Sequence, residues 1–234
     1  MGILSKRLSA LAGMVEKNSS VIDVGTDHGF IPVFLALNGA CVRIIASDIR
    51  EGPLKSAVKN AGEHGVSSHI EFTLAPGLEG ISAGDVDTVI IAGMGGETII
   101  SILNDADWVK NPGIRLILQP QTKLFELLSW LSENGFRISG AELVSEDKRI
   151  YTVFSAEISA DTCSPGGFFD MLIKKADPLL EEYLTQQIEK LQREIRGKLS
   201  AADAHGLSES RVRLETLVRV KSAIKEERFN DNGK

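Results

Sequence analysis

Short runs of apolar residues alternate with amphipathic segments along the first two thirds of the chain. The apolar runs are nearly continuous, as in strands that are buried on both faces of a parallel sheet. They lie at 21–25, 43–48, 70–74, 87–93 and 114–120. Segments with helical periodicity lie between them, at 30–38, 52–63, 97–104 and 123–134. This alternation with short connections predicts a doubly wound α/β sheet.

The sheet is predicted to end differently from the way it begins. Two further strand-like runs, 136–144 and 149–157, follow one another with only residues 145–148 between them. A connection this short leaves no room for a helix and predicts an antiparallel hairpin. Few doubly wound families finish in that way, so the hairpin narrows the choice of fold.

The last third of the chain has the periodicity of helices. Residues 159–168 are small and turn-rich and are predicted to be a linker. Apolar residues then recur every three or four positions from 177 to 199, and a second helix is predicted from an N-cap at Ser208 to about Glu227. We therefore expect two domains, residues 1–160 as the sheet domain and 168–234 as a helical hairpin or short antiparallel coiled coil.

Composition narrows the class of protein. The chain has 234 residues, of which 43% are hydrophobic and 25% are charged, as in ordinary globular domains. No apolar run is long enough to span a bilayer, and the first residues lack the apolar core of a secretory signal. The two cysteines form no metal-type spacing. We expect a soluble, cytoplasmic protein with no membrane partner.

The net charge of −6 speaks at first against a nucleic-acid partner, because phosphate binding depends on Lys and Arg. Residues 1–159 hold 13 basic and 19 acidic side chains, whereas residues 160–234 hold 13 of each. All the excess acid therefore belongs to the sheet domain. The arginine-rich hairpin and the pair Lys6 and Arg7 are the plausible surfaces for a polyanion, although charged flanks are also usual in coiled coils.

The segment 21–32 carries the strongest chemical signal. A strand runs into Asp23 and Gly25, and a helix follows Gly29. Glycine allows a tight turn and close approach of a ligand, and a helix start offers free N–H groups. The spacing is not that of the dinucleotide motif, and an acid at position 23 suits the cationic methionine end of S-adenosylmethionine. On this motif alone, a plain strand–turn–helix is an equal alternative.

The other strand ends carry polar or glycine-rich residues as well. Asp48 ends the second strand, where an acid binds ribose hydroxyls in doubly wound folds, with a helix cap as the alternative. Three glycines within 93–96 suit a backbone that passes close to a flat ligand, with Met94 as an apolar cover, or else a tight turn. Gln119 ends the fifth strand and could bond a base edge or lie in an ordinary loop.

Titratable residues beyond these add one candidate. His28 lies beside Asp27 and could shuttle protons, or it is an ordinary polar residue at a helix start. The remaining histidines lie in polar stretches, and none has metal-ligand spacing to an acid, so no metal site is expected.

Five motifs together resemble the bacterial tRNA (adenine-22-N1)-methyltransferase family, and the resemblance covers nearly the whole chain. They are the opening 4–8, Asp-Val-Gly-Thr-Asp-His-Gly-Phe-Ile-Pro at 23–32, Ala-Ser-Asp-Ile at 46–49, Ile-Ala-Gly-Met-Gly-Gly-Glu at 91–97 and Leu-Gln-Pro-Gln at 118–121. The resemblance implies a Rossmann-like class I methyltransferase domain, S-adenosylmethionine as cofactor, and N1 of an adenine in tRNA as the methyl acceptor.

The residue patterns, the resemblance and the chemistry of the methyl transfer together predict roles for individual residues. Asp27 is the expected acceptor near the reacting adenine, with His28 as its helper. The expected cofactor-binding residues are Asp23, Gly25, Thr26, Gly29, Asp48, Ile49, Gly77, Leu78, Gly93 and Met94. The expected substrate-binding residues are Arg7, Gly95, Gly96, Gln119 and Pro120. One departure concerns Ala75-Pro76, because related enzymes often carry an acid there that contacts the cofactor's adenine.

Two other functions are compatible with the same patterns. A class I methyltransferase could act on another RNA, a small molecule or a protein. A non-catalytic protein could bind the cofactor and use the helical hairpin for interaction. Methyl transfer to tRNA distinguishes the tRNA methyltransferase hypothesis from both of these alternatives.

Overall fold

The computed structural model describes residues 4–159, 167–200 and 206–231, with side chains through residue 224. Residues 160–166, most of the predicted linker, lie outside the described residues. The chain divides into two compact units, residues 1–168 and 169–234.

A seven-stranded sheet forms the framework of the first unit. Its strands are β1 (Ser19–Val24), β2 (Cys41–Asp48), β3 (Glu71–Leu74), β4 (Thr88–Gly95), β5 (Arg115–Thr122), β6 (Phe136–Glu146) and β7 (Arg149–Ile158). They lie in the order β3-β2-β1-β4-β5-β7-β6. Strands β1 to β5 are parallel, whereas β7 runs antiparallel to both β5 and β6. The predicted doubly wound sheet with a terminal hairpin is confirmed.

Helices accompany the strands of this unit. They are α1 (Lys6–Gly13), α2 (Phe30–Leu37), α3 (Glu51–Glu63), α4 (Gly96–Asn104) and α5 (Leu124–Glu133), with short 3-10 turns at Ser67–His69 and Asp107–Lys110. Apolar side chains from α1, α2 and the central strands are fully buried against one another, among them Leu11, Val33 and Ile90. Because the central strands are covered by helices, the residues in their middle are apolar and buried, as at 21–22, 89–91 and 116–118, which is the pattern seen in the sequence.

Three helices follow the sheet: α6 (Gly167–Lys174), α7 (Leu180–Ser200) and α8 (Leu207–Asp231). The helix α6 was not predicted, because its single apolar run at 168–173 is too short to show a period. The Lys221 amine of α8 donates to the Thr185 hydroxyl of α7 at 2.7 Å, and Ser210 lies 2.8 Å from the Glu194 carboxylate. These pairs require α7 and α8 to run antiparallel, as expected for a helical hairpin.

The predicted start of the last helix needs a correction. Ser208 is not an N-cap, because α8 already begins at Leu207, directly after Gly206 with a φ of +67°. The serine that matters is Ser210, whose side chain is buried and bonds back to the Gly206 carbonyl at 2.9 Å. A glycine in the left-handed region turns the chain sharply, so the helix can start two residues earlier than the polar pattern suggests.

The parallel strands place their carboxyl ends at one edge of the sheet. Asp23 near the end of β1 lies in register with Ala46 of β2, and Asp48 ends β2 opposite Leu74 of β3. The register of β4 against β5 shifts between Ala92 and Met94. This irregularity releases Gly93 from regular pairing at the same edge, where the motifs of the sequence converge.

Candidate active site

A cleft with two chambers opens at the carboxyl edge of the sheet. One chamber, of about 600 Å³, is lined by polar residues that include Arg7, Asp23, Asp27 and Asp48. The other, of about 490 Å³, is lined mainly by apolar residues from the segment after β3 and from α4. Three residues line both chambers: Gly25, Ile49 and Met94. The two chambers are therefore neighbouring halves of one cleft.

Asp23 is one of two buried carboxylates of the polar chamber, with 5% of its surface exposed. Its Oδ2 accepts a hydrogen bond from the Thr26 hydroxyl at 2.7 Å. Burial raises the pKa of Asp23 to about 6, the Thr26 hydrogen bond opposes this rise, and the charge of Asp48 adds to it. A cationic ligand would relieve this cost, because it would compensate the buried negative charge.

Asp48 is buried as well, and its carboxylate organises the surrounding backbone. Its Oδ2 accepts from the backbone N–H of Asp27 at 3.3 Å, and its Oδ1 accepts from the N–H of Arg50 at 2.9 Å. The carboxylate therefore ties the loop after β1 to the start of α3. Asp48 was predicted either to bind a ribose or to cap a helix. The structure is compatible with both, because Asp48 orders the start of α3 and also lines the cleft.

The loop between β1 and α2 has an unusual backbone. Gly25, Asp27 and Gly29 all have positive φ values, of 71°, 51° and 68°. The Ser47 carbonyl accepts from the N–H groups of both Gly25 and Thr26, which fixes the turn against β2. Asp tolerates the left-handed region better than most residues, since its short polar side chain can bond locally. The loop thus turns twice within five residues and points the Asp27 side chain outward.

Asp27 and His28 form a pair at the mouth of the cleft. The His28 Nε2 lies 3.7 Å from the Asp27 Oδ2, and 54% and 62% of the two side chains are exposed. Asp27 lines the polar chamber, whereas His28 does not. The His28 ring instead lies 5.6 Å from the ring of Phe30, which does line the chamber and is 38% exposed. Sequence reasoning missed Phe30, although the available signal was its place directly after Gly29 in the motif at 23–32.

The second chamber suits a flat, apolar group. Ile49 is 65% exposed there, although it is a large aliphatic residue, and Gly77 and Leu78 form the opposite wall. Ala75 and Pro76 line the chamber without an acidic side chain. The acids that do line it are Glu79 and Asp105, the second of which follows α4. Sequence reasoning missed Asp105, which lies far along the chain from the motifs.

The three glycines within 93–96 meet different structural requirements. Gly93 has a φ of +77° and lines the polar chamber, with Arg7 near its Cα. Gly96 begins α4 and packs against the backbone carbonyl of Lys123, where any side chain would collide. Gly95 precedes the helix with an ordinary φ of −67°. Neither Gly95 nor Gly96 lines the cleft, so a substrate contact at these two positions stays a prediction, and packing explains Gly96.

Gln119 lies behind the cleft rather than in it. Its side chain is fully buried, and its Oε1 accepts from an Arg7 guanidinium N–H at 2.8 Å and from the Gly93 N–H at 3.2 Å. Its Nε2 donates to the carbonyl of Pro120, which is also buried. The direct contact of Gln119 with a base edge therefore stays a prediction, and in this structure the amide holds Arg7 and Gly93 in place.

Within the described ranges 4–159, 167–200 and 206–231, no group of three or more His, Cys, Asp or Glu residues could hold a metal ion. No helix in the same ranges is long and apolar enough to cross a membrane.

The two chambers fit the parts of S-adenosylmethionine. Its ammonium, sulfonium and ribose hydroxyls call for buried carboxylates and backbone groups, which the chamber of Asp23 and Asp48 offers. Its adenine calls for a flat apolar slot, which the chamber of Ile49 and Leu78 offers. A strand–loop–helix with two left-handed glycines lies between them, so a ligand can approach the backbone closely.

The fold and this cleft define a class I methyltransferase. The sequence profile of the family described as "Methyltransferase domain" matches residues 4–154. The tRNA (adenine(22)-N(1))-methyltransferase of Bacillus subtilis (strain 168) is 34% identical over 154 residues, which are 66% of this chain and 65% of that protein.

Solved structures extend the match to nearly full length. The crystal structure of the Bacillus subtilis m1A22 tRNA methyltransferase TrmK superposes with a TM-score of 0.81 at 30% identity and covers 93% of this chain and 98% of that one. A Streptococcus pneumoniae protein described as a putative tRNA (m1A22) methyltransferase, solved in complex with S-adenosyl-L-methionine, gives 0.79 at 30% identity, covering 93% and 99%. The chain belongs to the bacterial tRNA (adenine-22-N1)-methyltransferase family. The predictions of family, enzyme class and cofactor are confirmed.

Proposed function

We propose that this protein transfers the methyl group of S-adenosylmethionine to N1 of the adenine at position 22 of tRNA. The observation that carries the proposal is the pair of buried carboxylates, Asp23 and Asp48, beside an apolar chamber at the carboxyl edge of the sheet. The Bacillus subtilis relative acts, by its name, on this adenine of tRNA. When bound, the cofactor supplies an electrophilic methyl group on a positively charged sulfur.

The polar chamber holds the methionine end and the ribose in this proposal. Asp23, kept in place by the Thr26 hydroxyl, compensates positive charge, and Asp48 accepts from the ribose hydroxyls. Gly25 and Gly29 keep the loop backbone free of side chains. The apolar chamber holds the adenine between Ile49 and Leu78, with Gly77 and Met94 along its sides, while Gly93 lines the adjoining polar chamber. Asp105 and Glu79 are the acids that could replace the one missing at 75–76.

Asp27 is the residue placed to assist the reaction. N1 of adenine has a free lone pair at neutral pH, so the chain has no need of a strong base. Methylation puts positive charge on the purine, and a carboxylate beside the amino group stabilises that charge. Asp27 is exposed at the mouth of the polar chamber and has His28 at 3.7 Å, so its carboxylate is available to an incoming base. Proximity and in-line orientation supply the rest of the acceleration.

Arg7 is the cation of this cleft that we assign to the tRNA, with Gln119, Pro120, Gly95 and Gly96 supporting the wall behind it. The exposed arginines of the helical hairpin, Arg196, Arg211 and Arg219, provide a second basic surface. An adenine inside a folded tRNA must leave its stack to enter the cleft, which costs energy that such backbone contacts offset.

Mapping of modified nucleosides tests this function. Purified tRNA lacking the modification is incubated with the protein and the labelled cofactor, then digested and analysed by mass spectrometry. We expect 1-methyladenosine at position 22 alone, and less of it with the Asp48→Asn variant when the cofactor is below saturation. Label on another nucleotide or on protein would move the enzyme to a different substrate class. Cofactor binding without any transfer would make the chain a non-catalytic binder.

A further inference from the structure

Arg7 is held from three directions at the wall of the polar chamber. Its NH1 donates to the Gln119 Oε1 at 2.8 Å, and its guanidinium carbon lies 5.5 Å from the centre of the Tyr151 ring. Its backbone N–H donates to the Glu146 carboxylate at 2.9 Å, which fixes the first turn of α1 against β6. An arginine with this many restraints loses little further freedom when it binds an anion.

The two groups that contact the Arg7 guanidinium, Gln119 and Tyr151, carry no compensating charge. Gln119 offers an amide oxygen and Tyr151 an aromatic face, and neither is charged at neutral pH. The three carboxylates lining the chamber have other partners: Asp23 binds Thr26, Asp48 binds two backbone N–H groups, and Asp27 has His28 at 3.7 Å. The Glu146 carboxylate accepts its hydrogen bond from the backbone N–H of Arg7 and interacts with the Arg7 charge through space. The guanidinium is therefore an oriented cation that still has donors to offer.

Arg7 also lies on the opposite side of the cleft from Asp48. Its contacts are to Gln119 of β5 and Tyr151 of β7, whereas Asp48 ends β2. The order β2-β1-β4-β5 puts three strand spacings between β2 and β5, roughly 14 Å at about 4.8 Å each. The anion that Arg7 binds thus enters on the β5 side, away from the carboxylates that we assign to the cofactor.

We propose that Arg7 binds one backbone phosphate of the RNA at the nucleotide that enters the cleft, and that Tyr151 and Gln119 are its positioning residues. The proposal rests on the proposed function, because it needs an RNA substrate. A guanidinium has a planar fork of donors that matches two phosphate oxygens. The sheet domain carries all the excess acid of the chain, so an RNA needs a local cation at this mouth.

Tyr151 contributes its ring face and not its hydroxyl in this proposal. Tyr151→Phe keeps the ring under the guanidinium and serves as the matched control, whereas Tyr151→Leu removes the aromatic face and leaves an apolar side chain. We expect Tyr151→Phe to methylate tRNA like the wild type. We expect Tyr151→Leu to raise the KM for tRNA several-fold, with little change in cofactor affinity.

The salt dependence of tRNA binding provides the decisive readout. Each phosphate contact contributes roughly 0.7 to 0.9 to the slope of log affinity against log salt. Arg7→Gln should lower that slope by about this amount, and Tyr151→Leu by part of it, while Tyr151→Phe leaves it unchanged. Affinity for S-adenosylmethionine, measured by calorimetry on the same full-length variants, should stay within twofold.

The outcomes separate this inference from the proposed function. An unchanged salt slope in Arg7→Gln, or a large loss of cofactor affinity instead, would assign Arg7 to the carboxylate of the cofactor and overturn the inference. Equal tRNA binding by Tyr151→Phe and Tyr151→Leu would show that Tyr151 does not position Arg7. This comparison can be made even if the Arg7 variant fails to fold. If the wild-type protein binds tRNA tightly but methylates a different base, adenine 22 is not the target. The salt-slope comparison then still decides whether Arg7 binds a phosphate.

Discussion

The methyl end of Met94 lies directly over Gly25, so closely that a Cβ on residue 25 would overlap it. Both residues line both chambers of the cleft, and this contact marks the boundary between them. A ligand that occupies both chambers must pass this point. The cleft can therefore accept a long ligand only if Gly25 leaves space on one side and the flexible Met94 thioether moves on the other.

Gly25→Ala should weaken cofactor binding more than it weakens the fold. A φ of +71° costs a non-glycine residue about 1 kcal/mol, and the new methyl group also intrudes on the ligand path. We expect at least a tenfold loss of S-adenosylmethionine affinity by calorimetry. Gly80→Ala is the control, because Gly80 has a similar φ of +77° but open space around its Cα. If both variants bind the cofactor equally well, the contact with Met94 has no role in the cleft.

Asp23 should make stability and cofactor binding depend on pH in opposite directions. Its pKa rises from 3.8 to about 6 on folding, so the folded protein holds this proton more tightly than the unfolded chain. The stabilisation from this proton is complete below about pH 4 and is lost as pH rises through 6, at a cost of roughly 3 kcal/mol at neutral pH. Asp23→Asn should therefore raise the melting temperature at pH 7 and have little effect near pH 4.

The same carboxylate should strengthen binding of a cation as it ionises. Cofactor affinity of the wild type should increase between pH 5 and pH 7, and Asp23→Asn should remove most of that increase. Calorimetry at several pH values measures it. A wild-type affinity that is flat over this range would show that Asp23 does not face the cationic end of the ligand.

Asp48 and Asp27 should separate binding from turnover. Asp48→Asn keeps one acceptor for the backbone but loses the charge, so cofactor affinity should drop roughly tenfold or more. Asp27→Asn keeps a residue that tolerates the φ of 51° and should lower turnover roughly 100-fold with cofactor affinity nearly unchanged. Single-turnover kinetics and calorimetry distinguish the two. A normal rate in Asp27→Asn would remove Asp27 from the chemistry.

The sequence predicted the sheet more completely than it predicted the cleft. Buried parallel strands have a distinctive apolar pattern, and their carboxyl ends lie at one edge of the sheet. The sequence could therefore predict that Asp23, Asp48 and Gly93 lie near one another. Gln119 could not be placed, because nothing in a linear pattern shows that an amide at a strand end faces inward to an arginine more than 100 residues earlier. Asp105, Phe30 and Tyr151 were missed for the same reason, since each reaches the cleft or its wall through tertiary packing.

Gly96→Ala should affect the fold rather than the ligand. A Cβ at this position would meet the backbone carbonyl of Lys123, which cannot swing away as a side chain can. We expect a loss of stability of about 1–3 kcal/mol, as in other overpacked sites, measured by denaturant unfolding. Gly197→Ala is the control, since Gly197 lies inside α7 with open space and should gain about 0.5–1 kcal/mol. A neutral Gly96→Ala would return that glycine to the candidates for substrate contact.

The helical hairpin should contribute to tRNA binding through the arginines that are not engaged within it. Lys198 pairs with Glu194 at 2.9 Å and Lys221 bonds to Thr185, whereas Arg211 and Arg219 are exposed on α8. Arg211→Glu with Arg219→Glu should weaken tRNA binding at least tenfold at low salt, and the loss should shrink as salt is added.

Lys17→Glu is the control, because Lys17 is exposed just before β1, at the edge of the sheet away from the cleft. Filter binding over a range of salt measures both. If Lys17→Glu weakens binding as much as the hairpin variant does, the effect comes from net charge, and the hairpin is not a tRNA surface.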